Sequence, residues 1–226
     1  MLDKIQDAIR AVRKGRMVIV TDDENRENEG DLVMAAGKVS ARAINFMTRY
    51  GRGLICVAMP PERLENLGIA RMATRGPGDM FKTAFMESVD AARGVTTGIS
   101  AQDRAATIRT LVDPRSTRKS LVSPGHTFPL ATHEGGVLRR AGHTEASTDL
   151  ARLAGLYPAG IICEILRQAG RMARLPELKQ VARVHKLKII SIADLIAYRR
   201  RKEKIVEFIR VVDFPTRFGP FKLHLY

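Results

Sequence analysis

The sequence predicts a mixed fold of the α/β or α+β type, on three observations. Segments of helical period alternate with short apolar, strand-like runs from residue 3 to residue 203. Capping residues and Gly or Pro stops mark the junctions between them. No internal repeat or low-complexity tract breaks the alternation. A chain of 226 residues with 45% hydrophobic content can bury a core of its own.

Taken in order, Ile5, Ala8, Ile9 and Val12 share one face of a helix over 3–14, with Asp3 and Gln6 spaced as a capping box and Gly15 to end it. The strand "MVIVTD" follows and delivers an acidic run. "ARAINFMTRY" (41–50) is a helix, "GLICVAM" (53–59) a strand, and Pro60-Pro61 opens a short helix. "MATRGPGDMFK" (72–82) is expected to be a mobile loop able to act as a lid, before the strand-like "TAFMESVDA" (83–91). Ser100 with Asp103 opens a helix that Asp113-Pro114 stops near Val112. Residues 121–138, "LVSPGHTFPLATHEGGVL", carry too much Pro and Gly for a long regular element and predict turns and short strands. A helix from Thr144 to Gly155, the strand "AGIICEIL" (159–166), a helix near 176–185, the strand "LKIISI" (187–192) and the helix "ADLIAYRRRKE" (193–203) complete the unit. The remaining segment changes texture to Phe, Pro and β-branched residues, the start of a strand pair.

With 38 Lys and Arg against 24 Asp and Glu, the net charge is +14, which raises the question of nucleic acid. The cations are scattered apart from one dense run, "YRRRKEK" (198–204), and there is no Trp and no recognised nucleic-acid motif. No nucleic-acid partner is expected, although anionic small molecules are attracted. An uninterrupted apolar stretch of membrane-spanning length is missing, and the amphipathic start carries acids, so neither a membrane partner nor a secretion signal is expected and the location is cytoplasmic. Cys56 and Cys163 lie in apolar runs and are assigned to packing, as reduced thiols.

The acidic run "DDENRENEGDL" (22–32) sets six carboxylates around one arginine. In an extended chain Glu27, Glu29 and Asp31 project together while Arg26 and Asn28 point the other way. Like charges this close need water, a proton or a cation, and a hard divalent ion suits them; a solvated acidic turn is the plainer alternative. An EF-hand register with Gly30 at position 6 fails, because Ala36 stands where a bidentate Glu is required. Three histidines, His126, His133 and His143, fall within 126–143, none with the spacing of a zinc helix. His143 and Thr144 sit at an expected helix N-terminus just after Arg140 and Gly142, the makings of a phosphate site, although Thr144 as a simple N-cap explains part of this. His126, on an expected turn, has the chemistry of a general acid or base. Glu164 stands in an otherwise apolar strand, so it is either at the strand end or buried for proton transfer.

In the order "DDENRENEGDL", "TAFMESVDA", "GVTTGISAQDRAATI", "PGHTFPL", "EGGVLRRAGHTEASTDLARLAG", "PAGIICEI", "MARLPEL" and "KIISIADLIAYR", the chain resembles the 3,4-dihydroxy-2-butanone 4-phosphate synthase family over nearly all of residues 3–203. The resemblance implies an α+β fold, a three-layer α/β/α sandwich with a mixed sheet. It implies an enzyme of riboflavin biosynthesis that converts ribulose 5-phosphate to the four-carbon phosphate and formate, dependent on Mg2+ or Mn2+ with two ions per site. Glu27 and His143 would be the metal ligands, and Arg26, Glu27, Asp31 and Glu164 would contact substrate. The run Arg140, Ala141, Gly142, His143 and Thr144 would hold the phosphate, and His126 and Glu164 would move protons. It also implies a homodimer with active sites at the subunit interface. The chain departs from the family at "LRQAGR" (166–171), where an acidic, Asn/Asp-rich turn is usual. The synthase domain is expected over 1–204, and "FPTRFGPFKLHLY", within 205–226, resembles the beginning of GTP cyclohydrolase II. Both cysteines lie in the synthase part, so no GTP hydrolysis is expected.

Overall fold

The computed structural model describes residues 2–73, 81, 83–204 and 208–226. The expected lid, 72–82, falls almost entirely outside them. The elements follow the sequence closely: α1 (Ile5–Arg13), β1 (Val18–Thr21), β2 (Gly30–Ala35), α2 (Ala41–Phe46), β3 (Cys56–Met59), α3 (Pro61–Asn66), β4 (Ala84–Phe85), β5 (Val89–Ala91), α4 (Ala101–Val112), β6 (Leu121–Ala131), α5 (His143–Leu153), β7 (Gly160–Glu164), α6 (Leu175–His185), β8 (Lys188–Ser191), α7 (Ile192–Lys202), β9 (Arg210–Thr216) and β10 (Gly219–Leu225). A π-helical turn, Met47–Gly51, extends α2.

Eight strands form one sheet in the order β4-β6-β3-β7-β2-β1-β8, with β5 also paired to β6. It is mixed: β1 with β8 and β3 with β6 run parallel, and the other pairs are antiparallel. Strands buried on both faces read as continuous apolar runs whose alternate residues serve opposite cores. Ile19, Leu32, Val57, Ile161 and Cys163 join Ile44, Leu64, Ile108 and Leu178 in one core, which places α2, α3, α4 and α6 on that face. Val18, Val20, Val33, Cys56 and Ile162 join Ile9, Leu150 and Leu195 in the other, under α1, α5 and α7. The result is the α/β/α sandwich with a mixed sheet, and the two buried thiols serve opposite cores.

Several local expectations give way to tertiary contacts. Asp3 is not a capping residue: Lys4 takes the N-cap position without a side-chain cap, and Asp3 accepts hydrogen bonds from Lys188 Nζ (2.6 Å) and the Ile189 N–H (2.9 Å). Residues 121–131 form one eleven-residue strand instead of turns. A register shift between Val89 and Asp90 lets β5 bypass Pro124 and Gly125, which accommodates both residues, and β3 pairs with residues 128–131 on the other edge. Ser100 and Ser191 cap α4 and α7 by accepting the N–H of Asp103 and Asp194. Among the described residues β9 and β10 pair only with each other, and no helix is long and apolar enough to cross a membrane.

Candidate active site

The loop between β1 and β2 is organised by a residue that the sequence reading passed over. Asp22, whose side chain is buried, accepts the N–H groups of Glu27 (3.0 Å) and Glu29 (2.8 Å) and pairs with Arg26 (2.9 Å). Asp23 turns the loop by accepting the Asn25 N–H at 2.8 Å, Asn28 takes a positive φ of 54°, and Arg174 donates to the carbonyls of Glu27 and Asn28 from outside. The segment is therefore a folded turn and not an extended strand. This corrects the expectation for Arg26: it does not point away from the acids but lines the same cavity and contacts Glu27 Oε2 at 2.7 Å. Its guanidinium also lies 5.0 Å from the centre of the Phe81 ring.

Strand order brings the rest of the site to this loop. β2 lies between β1 and β7, and its register sets Asp31 opposite Glu164, the last residue of β7. Glu164 thus sits at the strand end, where its Oε2 accepts the Leu54 N–H at 2.8 Å. No side chain fits at Gly53, since its Cβ would run into the Glu164 carboxylate and backbone. α5 starts one residue earlier than expected, at His143 with Gly142 as N-cap, so Thr144 lies inside the first turn and is not the cap. His143 Nδ1 faces Glu27 Oε2 at 3.4 Å. A cavity of about 230 Å³ is lined by Arg26, Glu27, Asp31, Arg140, His143, Thr144 and Glu164, together with Glu29 and Thr83.

The charges interact strongly there. Burial pushes the Asp31 carboxyl upward and the carboxylates of Glu164, Glu27 and Glu29 add to this, with His143 opposing. Burial disfavours a charged His143, but Asp31, Glu27 and Asp22 outweigh it and raise the imidazole to about 9. For Glu27 burial is likewise outweighed, by His143 and Arg26, and its carboxyl falls below the usual range. Asp22, Glu27 and His143 offer ligand atoms that all lie within 4.8 Å of one another. His143 Nε2 is buried without a hydrogen-bond partner. Carboxylate oxygens with one imidazole fit a hard divalent cation, which would displace the imidazole proton on binding.

Arg140 is spoken for by the protein: it donates to Glu145 Oε2 (2.7 Å), the Phe81 carbonyl (3.0 and 3.1 Å) and Thr83 Oγ1 (2.9 Å). Fully buried Glu145 also binds His133 Nδ1 at 3.1 Å, giving that histidine a structural place. Ala141 is exposed and Gly142 buried, and neither lines the cavity. His126 does not join the site either. It lies half-exposed on β6, where Asp90 accepts both its ring N–H (2.7 Å) and its backbone N–H (3.0 Å). Asp22 was not distinguishable in the sequence from the other acids of its run, nor Asp90 from an ordinary strand residue, because the partners of both are set by turns and pairing.

The fold is that of a mixed-sheet α/β/α sandwich that gathers an acidic loop and a helix-start histidine around one cavity, with the donor set of a divalent-ion site. The chain belongs to the 3,4-dihydroxy-2-butanone 4-phosphate synthase family, whose model matches residues 6–198. It is 56% identical over 224 residues to the riboflavin biosynthesis protein RibBA of Aquifex aeolicus, covering 98% of this chain and 55% of that protein. To the 3,4-dihydroxy-2-butanone 4-phosphate synthase of Neisseria meningitidis serogroup B it is 50% identical over 225 residues, covering 100% and 62%. The chain thus spans about half the length of the curated relatives it matches. Among solved structures, a 3,4-dihydroxy-2-butanone 4-phosphate synthase in complex with two magnesium ions superposes with a TM-score of 0.85 at 41% identity, covering 91% of this chain and 100% of that one. RibBX, a two-domain synthase from A. baumannii, gives a TM-score of 0.91 at 45% identity over 98% of this chain and 65% of its own.

Proposed function

We propose that this chain converts D-ribulose 5-phosphate to L-3,4-dihydroxy-2-butanone 4-phosphate and formate, in a reaction that depends on Mg2+ or Mn2+ and feeds riboflavin biosynthesis in the cytoplasm. The convergence of Glu27, His143, Asp31 and Glu164 on one cavity in a member of this family carries the reading. The sequence of events is enolisation of the ketopentose, loss of water, skeletal rearrangement and expulsion of carbon 4 as formate.

Glu27 and His143 hold the metal, with Asp22 beside them; two ions per site are proposed, and a related synthase is in complex with two magnesium ions. When bound, the metal supplies Lewis-acid stabilisation of charge on adjacent substrate oxygens. The substrate phosphate sits at the start of α5, where the N–H groups of His143 and Thr144 and the helix dipole favour an anion. Arg140 supports that anchor by fixing the helix start through Glu145 and Thr83. Arg26, fixed by Asp22, presents a cation to the sugar oxygens. Asp31 contacts the substrate, and Glu164, paired opposite it, is the first proton carrier.

His126 is the second proton carrier, and its separation from the cavity supports a homodimer in which a second copy supplies it. Asp90 orients the ring by accepting its N–H. Residues 205–226 are read as the opening of a GTP cyclohydrolase II-like unit after a synthase domain of 1–204. The self-paired β9–β10 hairpin, with Phe214, Phe218 and Phe221 exposed, supports that division.

Formate release from ribulose 5-phosphate, with magnesium and then with EDTA, tests the reading in the wild type, Glu27→Ala and His126→Ala. Metal-dependent formate that disappears in both variants is the expected result. No formate from folded, magnesium-loaded protein overturns it.

A further inference from the structure

Among the described residues, a concavity larger than the acidic cavity lies away from it. About 960 Å³ in volume, it opens where α1 ends, at the starts of β1 and β8 and beside α2, whereas the acidic loop leaves the far end of β1. Its cations are Arg10, Lys14, Arg16, Arg42, Lys186 and Lys188, against the single acid Asp7. Asp7 pairs with Arg10, and Lys188 is held by Asp3 at 2.6 Å. Among the described residues no ion pair engages Lys14, Arg16, Arg42 or Lys186, all of them exposed. Lys186 also stands at the left-handed end of α6 (φ 55°), where glycine would be strain-free.

One wall is aromatic. Phe46, Tyr50 and His185 pack with ring centres 4.3–5.0 Å apart, and Arg49 lies 5.3 Å from the centre of the Tyr50 ring. A smaller hollow of about 380 Å³ over these rings shares Arg42, Phe46 and His185 with the large groove, so the basic floor and the aromatic wall are continuous. Unpaired cations attract phosphate oxygens, and an aromatic and guanidinium surface accepts a planar ring. A single-stranded nucleic acid needs several stacking platforms spaced along a channel, and this groove has one.

We infer that this groove is a second ligand site, one that takes a phosphorylated heteroaromatic molecule of nucleotide size, with the phosphates on Lys14, Arg16, Arg42 and Lys186 and the ring against Tyr50 and His185. It is separate from the acidic cavity and does not depend on the reaction proposed there.

Calorimetric titration of the full chain in EDTA with ADP, inorganic pyrophosphate and a short oligothymidylate tests the inference. ADP is expected to bind more tightly than either comparator. A Lys14→Gln/Lys186→Gln double variant with unchanged circular dichroism and melting temperature is expected to lose at least about tenfold in ADP affinity. Tyr50→Leu is expected to weaken ADP while leaving pyrophosphate unchanged. ADP affinity unaltered in the lysine variant overturns the assignment by placing the nucleotide elsewhere. Pyrophosphate binding as tightly as ADP removes the ring from the proposal, tighter oligothymidylate makes the groove a nucleic-acid surface, and no ADP binding at low salt ends it.

Discussion

Glu27 Oε2 lies 3.4 Å from His143 Nδ1, although one comes from the loop after β1 and the other from the first position of α5. This pair is expected to be the core of the metal site. Glu27→Ala and His143→Ala should each weaken Mn2+ binding, followed by electron paramagnetic resonance, by at least about a hundredfold, with formate release falling in step. Native circular dichroism together with unchanged Mn2+ affinity in either variant would count against the assignment.

Asp22 is expected to act through the loop. Removing its carboxylate in Asp22→Ala takes the acceptor from the Glu27 and Glu29 N–H groups and leaves Arg26 to Glu27 alone. These donors are only part-buried, so water replaces the lost acceptor and the penalty falls on the loop's order. The loop should therefore lose order and metal affinity should drop about ten- to a hundredfold, while the melting temperature changes little because the loop is only partly buried. A collapse of overall stability with intact metal affinity in the remaining folded fraction would contradict this role.

If His126 completes the site of a second copy, two inactive variants should rescue each other. In an equal mixture of Glu27→Ala and His126→Ala chains, half of the dimers are mixed and each mixed dimer keeps one intact site. Formate release should therefore recover to about a quarter of wild type after subunit exchange. Recovery near zero, with exchange verified by mass spectrometry, would mean that both residues serve the same copy's site.

Glu203 predicts a pH dependence of stability. Its hydrogen bonds to Arg199, then its contact with Arg152, hold the carboxyl down at about 2, below its ordinary 4.5. Because the folded value is the depressed one, the stabilisation is present above the unfolded pKa and is lost as pH falls from about 4.5 towards 2. Glu203→Gln should cost on the order of 1–2 kcal/mol at pH 7 by urea denaturation, and the gap to wild type should shrink below about pH 4. A gap that stays constant across that range would show that Glu203 contributes by packing and not by charge.

Gly53→Ala is expected to impair Glu164 selectively. The added methyl displaces a carboxylate held by the Leu54 N–H and presses on the adjoining strand backbone. Turnover should fall at least about tenfold with metal affinity retained, because Glu27 and His143 lie elsewhere in the cavity. Wild-type turnover in this variant would show that Glu164 has room to spare.

Where the determinants are local, the sequence was legible. Ser100 with Asp103 forms the helix start that its spacing announces, and the apolar face of α1 is buried as periodicity requires. Pro and Gly misled over 121–131 because pairing with β5 towards one end and with β3 towards the other, with a register shift to absorb them, overrides the local preference for turns. Asp3 misled for a related reason: a long-range partner on β8 outcompeted the nearby helix N–H.

The sequence by itself determined the alternation of elements, the two-faced apolar strands and the acidic, histidine and phosphate-site motifs of the family, since composition and spacing encode them along a short stretch of chain. Only the tertiary structure decided which of those groups meet. Placing β2 between β1 and β7 sets Asp31 beside Glu164 and delivers Glu27 to His143, whereas β6, on the far side of β3, carries His126 away to Asp90. Strand order is a property of pairings between distant segments, and the periodicity of any one segment does not contain it.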